Sequence, residues 1–164
     1  MKIRKTNSTD NFDEISDIYV RSWKSAYRGI VPQEYLDELT GNKWVGILSG
    51  NQFDSFVILD NDRYIGTSAT CKARDEKMKD WGEIVSLYLL PEYFGKGYAE
   101  PLFMYAVNDL LEKGYDQIYL WVLEKNIRAQ RFYEKCGFSK TGDTMQMEIL
   151  GEKLIDVRYV KSYI

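Results

Sequence analysis

The pattern of apolar and polar residues predicts alternating strands and helices, and the clearest unit lies between Glu83 and Gly114. Residues 83–90 are mostly apolar, with β-branched and aromatic members, and Pro91 ends the run. That pattern is typical of a strand buried on both faces. The apolar positions that follow recur at helical spacing, and they are Ala99, Phe103, Ala106 and Leu110. Gly114 ends this helix, so the unit is a strand, a tight turn and a helix.

The residues before this unit predict an edge strand, three helices and a hairpin. Residues 2–5 alternate weakly, and a long helix follows Asp10, a residue type that caps helices well. The face that this helix buries is formed by Phe12, Ile15, Ile18, Tyr19, Ser22, Trp23 and Ala26. Short helices are expected over residues 32–39 and 43–48, and strands over 55–59 and 64–71. The charged residues 73–80 are expected to form a solvated loop.

The residues after Gly114 predict a second interior strand, a helix and a closing hairpin. Residues 118–122 are apolar at every position, and a helix separates them from the first strand, so the two strands should run parallel. Asn126 and Gly137 are the expected caps of the next helix. Residues 139–149 and 154–160 should form the hairpin. We find no linker or repeat, so residues 1–164 are expected to be a single domain.

Composition and charge narrow the classes of function. A net charge of −3 without a basic run argues against nucleic acid as the main partner. No apolar run is long enough to span a bilayer and no signal peptide is visible, so a cytoplasmic protein is the default expectation. The chain has no histidine, which removes the commonest general base and the commonest metal ligand. We expect no metal site, and we expect Cys71 and Cys136 to be reduced thiols.

The turn Gly95-Lys96-Gly97 is the first candidate for a binding site. Two glycines let the backbone turn sharply and let an anion approach the N–H groups at the start of the helix. The spacing matches neither the P-loop nor the dinucleotide-binding motif. Taken alone, the turn is as compatible with a plain strand-to-helix connection as with a phosphate site.

Two blocks of the sequence resemble the GCN5-related N-acetyltransferase (GNAT) superfamily. Phe94-Gly95-Lys96-Gly97-Tyr98-Ala99 is similar to that family's acetyl-CoA motif, Arg/Gln-x-x-Gly-x-Gly/Ala, with Gly97 and Ala99 at the small positions. The stretch from Asn126 to Phe138 resembles the helix that closes the family's cofactor site. The motif's first position, usually Arg or Gln, is Phe94 here, and Lys96 is a candidate substitute for its phosphate contact.

The resemblance implies an α/β (α+β) fold in three layers. Its centre would be a mixed seven-stranded sheet flanked by helices, and two central parallel strands would splay apart to admit the pantetheine arm of acetyl-CoA. The cofactor-binding residues that it implies are Leu87, Tyr88, Leu89, Phe94, Gly95, Lys96, Gly97, Tyr98, Ala99 and Asn126. The strand residues would act through backbone groups, and the N–H of Leu87 or its neighbours would meet the oxyanion. Asn126 has the alternative role of a helix cap alone.

The resemblance also implies two catalytic residues. Tyr133 would be the general acid that protonates the sulfur of coenzyme A, the alternative being a tyrosine of the core. Glu83, fourteen residues before Gly97, stands where some branches of the family place a glutamate base. Because about six pKa units separate a free carboxylate from an alkylammonium, Glu83 would need a raised pKa, a water relay or a less basic amine. Its alternative is a solvated residue at the start of a strand.

The acceptor is the least determined part of the prediction. The first helices are rich in aromatic residues, and Trp23, Tyr27 and Tyr35 either belong to the core or line a substrate pocket. We expect acetyl-CoA and a small primary amine as partners, and the sequence leaves a homodimer open. The competing hypotheses are a protein N-terminal or lysine acetyltransferase, a coenzyme A-binding sensor without transferase activity, and an unrelated α/β protein.

Overall fold

Seven strands form one mixed sheet in the computed structural model, which describes residues 1–164. The strands are β1 (Lys2–Lys5), β2 (Asp54–Asp60), β3 (Arg63–Lys72), β4 (Gly82–Leu89), β5 (Gln117–Leu123), β6 (Ser139–Ile149) and β7 (Glu152–Ser162). Their order across the sheet is β1-β2-β3-β4-β5-β7-β6. Only β4 and β5 pair in parallel. The predicted seven-stranded mixed sheet and the edge position of β1 are therefore confirmed.

Five α-helices connect and cover the strands. They are α1 (Phe12–Ala26), α2 (Gln33–Glu38), α3 (Val45–Leu48), α4 (Ala99–Glu112) and α5 (Ile127–Lys135). Each of them lies within or overlaps a predicted helical segment. Pro101 stands in the first turn of α4, where a missing N–H costs little. None of the five is long and apolar enough to cross a membrane.

Alternate residues of β2 show that helices cover both faces of the sheet. Phe56 and Ile58 pack into the largest buried cluster, which includes Phe103 of α4. Val57 and Leu59 point the other way and pack with residues of α1. This period of two is the geometry of a strand buried on both faces, and each fully buried large apolar side chain contributes roughly 1.5–3 kcal/mol.

A β-bulge separates the two central strands. β4 loses its register with β3 between Ala69 and Thr70, where Val85 is the extra residue. Up to Ile84, β4 pairs with β5, and the last pair is Ile84 with Leu120. Beyond that pair the strands diverge, because a bulge bends its strand and increases the local twist. The predicted splay of the two parallel strands is thus confirmed.

Two local predictions were wrong. The N-cap of α1 is Asn11, whose side chain accepts the Glu14 N–H, whereas Asp10 accepts hydrogen bonds from Arg4 and Tyr64. Asp10 is buried, so its carboxylate favours a charged partner over a helix terminus. The loop at residues 73–80 is also more than a solvated segment, because Arg74 pairs with Glu83 of β4 and Asp75 pairs with Arg158 of β7.

Candidate active site

The gap between β4 and β5 opens into a cavity of about 640 Å³. One side of its wall comes from β4, the glycine turn and α5, and the other from α1, β5 and the β6–β7 hairpin. That volume is within the usual range for small-molecule sites, which are concave and mostly apolar. Cys71 and Cys136 are both free thiols and neither belongs to this wall.

The glycine turn presents unused backbone donors to the cavity. Gly95 and Gly97 have φ values of +70° and +87°, in a backbone region that residues other than glycine rarely adopt. No N–H from Gly95 to Tyr98 donates a hydrogen bond within the protein, and no side chain caps α4. Free donors together with the helix dipole favour an anion at this position. Gly95, Gly97, Tyr98 and Ala99 all line the cavity.

The backbone of β4 beyond the bulge divides into two sets. The Ser86 carbonyl accepts a hydrogen bond from the Ser68 hydroxyl, and the Leu90 N–H donates to Ile65, so these even positions face β3. Backbone groups alternate in direction along a strand, so those of Leu87 and Leu89 face the gap. The backbone of Tyr88 is turned toward β3, which corrects its predicted role. Tyr88 instead contributes its side chain to the cavity wall.

Phe94 stands where the family motif usually has Arg or Gln, and its ring packs against an arginine from another helix. The Phe94 N–H donates to the Pro91 carbonyl, so this amide is not free for a phosphate. The guanidinium of Arg128, from the first turn of α5, lies 4.8 Å from the centre of the Phe94 ring. Arg128 lines the cavity beside Gly95. Lys96, the expected substitute, does not line it, and its ammonium lies 5.9 Å from the centre of the Tyr93 ring.

Asn126 combines the two roles that the sequence left open. Its side chain accepts the Ala129 N–H at 3.3 Å, so it caps α5. It also lines the cavity beside the glycine turn. The cap therefore fixes the start of α5, the helix that carries both Arg128 and Tyr133.

Tyr133 lies inside the cavity rather than only in the core. Its ring packs against Phe103 and Phe132, at 5.5 Å and 5.4 Å between ring centres. Its hydroxyl makes no hydrogen bond within the protein, and the residue lines the cavity. Burial raises the pKa of this phenol, and the neighbouring Tyr88 adds to the rise. An unpartnered phenol of this kind keeps its proton and can donate it to a bound group.

Glu83 is buried and fully engaged by the protein. It is 2% exposed, accepts the Tyr119 hydroxyl at 2.7 Å, and forms an ion pair with Arg74. Burial opposes ionisation of Glu83, but the hydrogen bonds from Arg74 and Tyr119 outweigh it, so the pKa is lowered. Glu83 does not line the cavity. Neither the solvated residue nor the raised pKa that a direct base would require is observed.

Two of the three aromatic residues predicted for the acceptor line the cavity. Trp23 and Tyr27 of α1 form part of its wall and pack edge to face with ring centres 4.8 Å apart. Tyr35 is not in the wall but packs against Trp23 at 6.3 Å. Burial raises the pKa of Tyr27 to about 12, so its hydroxyl is neutral at physiological pH.

The sequence analysis missed Asp156. This residue of β7 is 8% exposed, lines the cavity, and accepts no hydrogen bond from the protein. Burial raises the pKa of its carboxyl group. The signal was present in the sequence as an isolated acid inside the apolar run at residues 154–160, since an inward-facing charge in a strand calls for a partner.

The chain is similar to known proteins along most of its length. Residues 12–138 match the model of the acetyltransferase (GNAT) family. The uncharacterized N-acetyltransferase YuaI of Bacillus subtilis (strain 168) is 23% identical over 150 residues, which are 90% of this chain and 86% of that protein. The spermidine N(1)-acetyltransferase of Thermoplasma acidophilum is 26% identical over 157 residues, 93% of this chain and 96% of that protein.

A solved structure shares the whole fold. The crystal structure of the PaiA N-acetyltransferase from Thermoplasma acidophilum, in complex with coenzyme A, matches with a TM-score of 0.73 at 22% sequence identity. The match covers 99% of this chain and 100% of that one. At this level of identity the likeness concerns the fold.

Proposed function

The chain belongs to the GNAT family of acetyltransferases, and on that premise we propose that residues 1–164 act as one domain that acetylates the primary amine of a small molecule. The acetyl donor is acetyl-CoA, which supplies the thioester that the amine attacks. The name of the Thermoplasma acidophilum relative, a spermidine acetyltransferase, supports a small amine.

The observation that carries this proposal is the set of free amides from Gly95 to Tyr98, which open into the cavity that continues between β4 and β5. Amides at a helix start bind diphosphate groups well. A diphosphate held there leaves the pantetheine arm to run along β4, where the backbone groups of Leu87 and Leu89 face the gap. The thioester then comes to lie near Tyr133.

We assign the phosphate contact usually made by the motif's first residue to Arg128. The Phe94 ring holds the Arg128 guanidinium beside Gly95, so a cation stands near the free amides although the motif lacks its Arg or Gln. Arg128→Ala should raise the KM for acetyl-CoA about tenfold, the size expected for one exposed charge-assisted hydrogen bond. Arg131→Ala, on the same helix but outside the cavity, is the matched control. Equal KM values for the two variants would remove Arg128 from the site.

Tyr133 is the proposed acid for the departing thiolate. Burial raises the pKa of this phenol, which by itself makes it a weaker acid toward the thiolate. Burial also penalises the thiolate anion and so raises the pKa of the thiol, which offsets the first effect. Tyr133→Phe should lower kcat by about 10²-fold or more, the usual size for general acid catalysis. Unchanged turnover on the best amine would show that another group protonates the sulfur.

Release of free coenzyme A across a panel of amines tests the proposal as a whole. The panel contains arylalkylamines, spermidine, an amino acid and a short peptide with a free N-terminus and a lysine. We expect turnover on a small amine that exceeds turnover on the peptide. Faster turnover on the peptide would favour a protein acetyltransferase, and binding of acetyl-CoA without turnover would favour a sensor.

A further inference from the structure

Asp156 is the only buried carboxylate of the cavity wall, and the protein gives it no partner. Its side chain lines the cavity, is 8% exposed in all, and accepts no hydrogen bond from the protein. A buried charge without a partner is costly, and proteins retain one where it serves a ligand.

The two arginines near this part of the sheet form their ion pairs with carboxylates other than Asp156. Arg74 lines the cavity but forms its ion pair with Glu83. Arg158, two residues along β7, donates to Asp75 at 2.7 Å and lies 4.4 Å from the centre of the Trp121 ring. Neither guanidinium contributes to the pKa of Asp156, which burial alone raises. The missing partner of Asp156 is therefore a cation that arrives from outside.

The side chains around Asp156 indicate the chemistry of the rest of that ligand. The cavity wall that contains this carboxylate is mostly aromatic and apolar, and it includes Trp23, Tyr27, Trp121, Met145 and Met147. Tyr27 and Tyr88 are close enough for the charge of Asp156 to raise their pKa values further. Aromatic faces attract a cation and also bind an apolar group.

We infer that Asp156 binds the ammonium group of the acceptor and takes its proton, and that the acceptor is an amine with one positive charge and an apolar or aromatic body. The inference rests on the proposed acetyl transfer and specifies its acceptor. Asp156 is the single buried carboxylate in this wall, because the other one, Glu100, is exposed in the first turn of α4. This is the reason for one charge rather than several. A polyamine would leave its further ammonium groups against aromatic rings, sulfur and the engaged Arg74.

Acetyl transfer by this route removes two protons from the ammonium nitrogen. Asp156 removes one proton from the ammonium, and the neutral amine attacks the thioester carbon to form the C–N bond. The C–S bond then breaks, and the thiolate takes the proton of Tyr133. The amide nitrogen gives up its second proton, which restores Tyr133, and Asp156 releases the first proton to water. The products are the amide, free coenzyme A and one proton.

Burial makes the first of these transfers easier. In water the carboxylate and the alkylammonium differ by about six pKa units, which forbids efficient transfer. Inside the cavity burial raises the pKa of the acid and lowers that of the amine, so the two approach each other. The pKa of Glu83 does not rise in this way, because hydrogen bonds from Arg74 and Tyr119 keep it low.

The test compares Asp156→Asn with Glu152→Gln, an exposed acid at the start of the same strand. The readouts are kcat/KM for 2-phenylethylamine, spermidine and aniline, the KM for acetyl-CoA, and the pH profile from pH 6 to 9. We expect Asp156→Asn to lower kcat/KM for 2-phenylethylamine by about 10²-fold or more, the size of general base catalysis. The KM for acetyl-CoA and all values for Glu152→Gln should stay within about twofold of wild type.

Two readouts separate this role from a structural one. Aniline is uncharged at neutral pH, so its kcat/KM should fall far less in Asp156→Asn. Without a base only the neutral fraction of 2-phenylethylamine reacts, so kcat/KM should rise about tenfold per pH unit in the variant while wild type stays nearly flat. The titratable groups facing Asp156 are Tyr27 of α1 and Tyr88 of β4, whose raised pKa values keep them neutral throughout this range.

The outcomes separate a failure of the proposed function from a failure of the role assigned to Asp156. If wild type acetylates no amine, the proposed function fails before the variant is made. If wild type acetylates amines but Asp156→Asn loses less than about threefold, or loses equally on both amines with an unchanged pH profile, the role of Asp156 is wrong. Faster wild-type turnover on spermidine than on 2-phenylethylamine would overturn the inferred acceptor class. Asp156→Glu, which keeps the charge, should recover part of the activity if the Asn variant folds poorly.

Discussion

Glu83 and Asp156 are both buried carboxylates on the sheet, and the protein treats them in opposite ways. Glu83 is held by Arg74 and Tyr119, and its pKa is lowered although burial opposes this. Asp156 is surrounded by apolar and aromatic groups, and burial alone raises its pKa. Burial therefore does not decide which acid is available for chemistry. The donors that surround each carboxylate decide it.

The comparison also separates a structural network from a reactive one. Around Glu83, Arg74 comes from the loop after β3 and Tyr119 from β5, so the cluster ties three segments together at the closed end of the β4–β5 pair. Around Asp156, the neighbouring side chains leave the carboxylate open to the cavity. The first cluster stabilises the fold, and the second keeps a charge ready for a ligand. Three substitutions test this division, from the largest expected effect to the smallest.

Arg74→Ala should leave Glu83 as a buried carboxylate without a charged partner. Removing one partner of a buried ion pair costs about 3–5 kcal/mol, but Arg74 is half exposed and Tyr119 remains, so we expect a loss of about 2 kcal/mol at pH 7. The lowered pKa of Glu83 gives stability that is present above its unfolded pKa and is lost as the pH falls. The deficit of the variant should therefore shrink toward pH 4. Urea denaturation at both pH values measures it.

Lys79→Ala, in the same loop, is the control for this experiment, because Lys79 is exposed and takes no part in the ion pair with Glu83. A deficit in Arg74→Ala that stays constant from pH 7 to pH 4 would mean that the pair with Glu83 is not its source.

Glu83→Gln should cost about 1 kcal/mol of stability, since the amide oxygen can still accept from Tyr119 while the ion pair is lost. Its kcat/KM for the best amine should stay within about threefold of wild type, because Glu83 lies outside the cavity wall. Steady-state kinetics and thermal denaturation measure the two effects. A hundredfold fall in kcat/KM with the fold intact would restore Glu83 as the base.

Asp156→Asn should stabilise the fold while it removes activity. A carboxyl whose pKa is raised in the folded state contributes stability below its unfolded pKa and loses it as the pH rises through the folded pKa. At pH 7 the charged form is a burden, so its removal should add about 0.5–1 kcal/mol, as relief at active sites commonly does. Thermal denaturation at pH 7 and pH 4 checks this. A loss of stability at pH 7 would show that Asp156 has a partner after all.

The fold and one wall of the site could be predicted from the sequence, because their signals are local. The apolar runs at 83–90 and 118–122 identify the central strands, and glycines at 95 and 97 identify the turn with free amides. Periodicity and positive φ act within a few residues, so they can be read without the tertiary structure.

The wall that contains Asp156 is formed by contacts between residues that are far apart in the sequence. Asp156 faces the cavity only because β7 lies beside β5 and α1 covers that face of the sheet. Arg74 looked like a solvated residue because its partner is on the neighbouring strand β4. Arg128 was missed because its guanidinium, on α5, meets Phe94, which lies in the turn before α4. Side chains that converge from separate elements leave no pattern at any fixed spacing.

A pH titration of the side-chain carboxyl carbons by ¹³C NMR tests the division between the two acids most directly. We predict that Asp156 titrates above the usual aspartate value and that its resonance shifts when 2-phenylethylamine is added. Glu83 should titrate below the usual glutamate value and should not respond to the amine. A low pKa for Asp156, a raised one for Glu83, or a response to the amine at Glu83 alone would contradict the account.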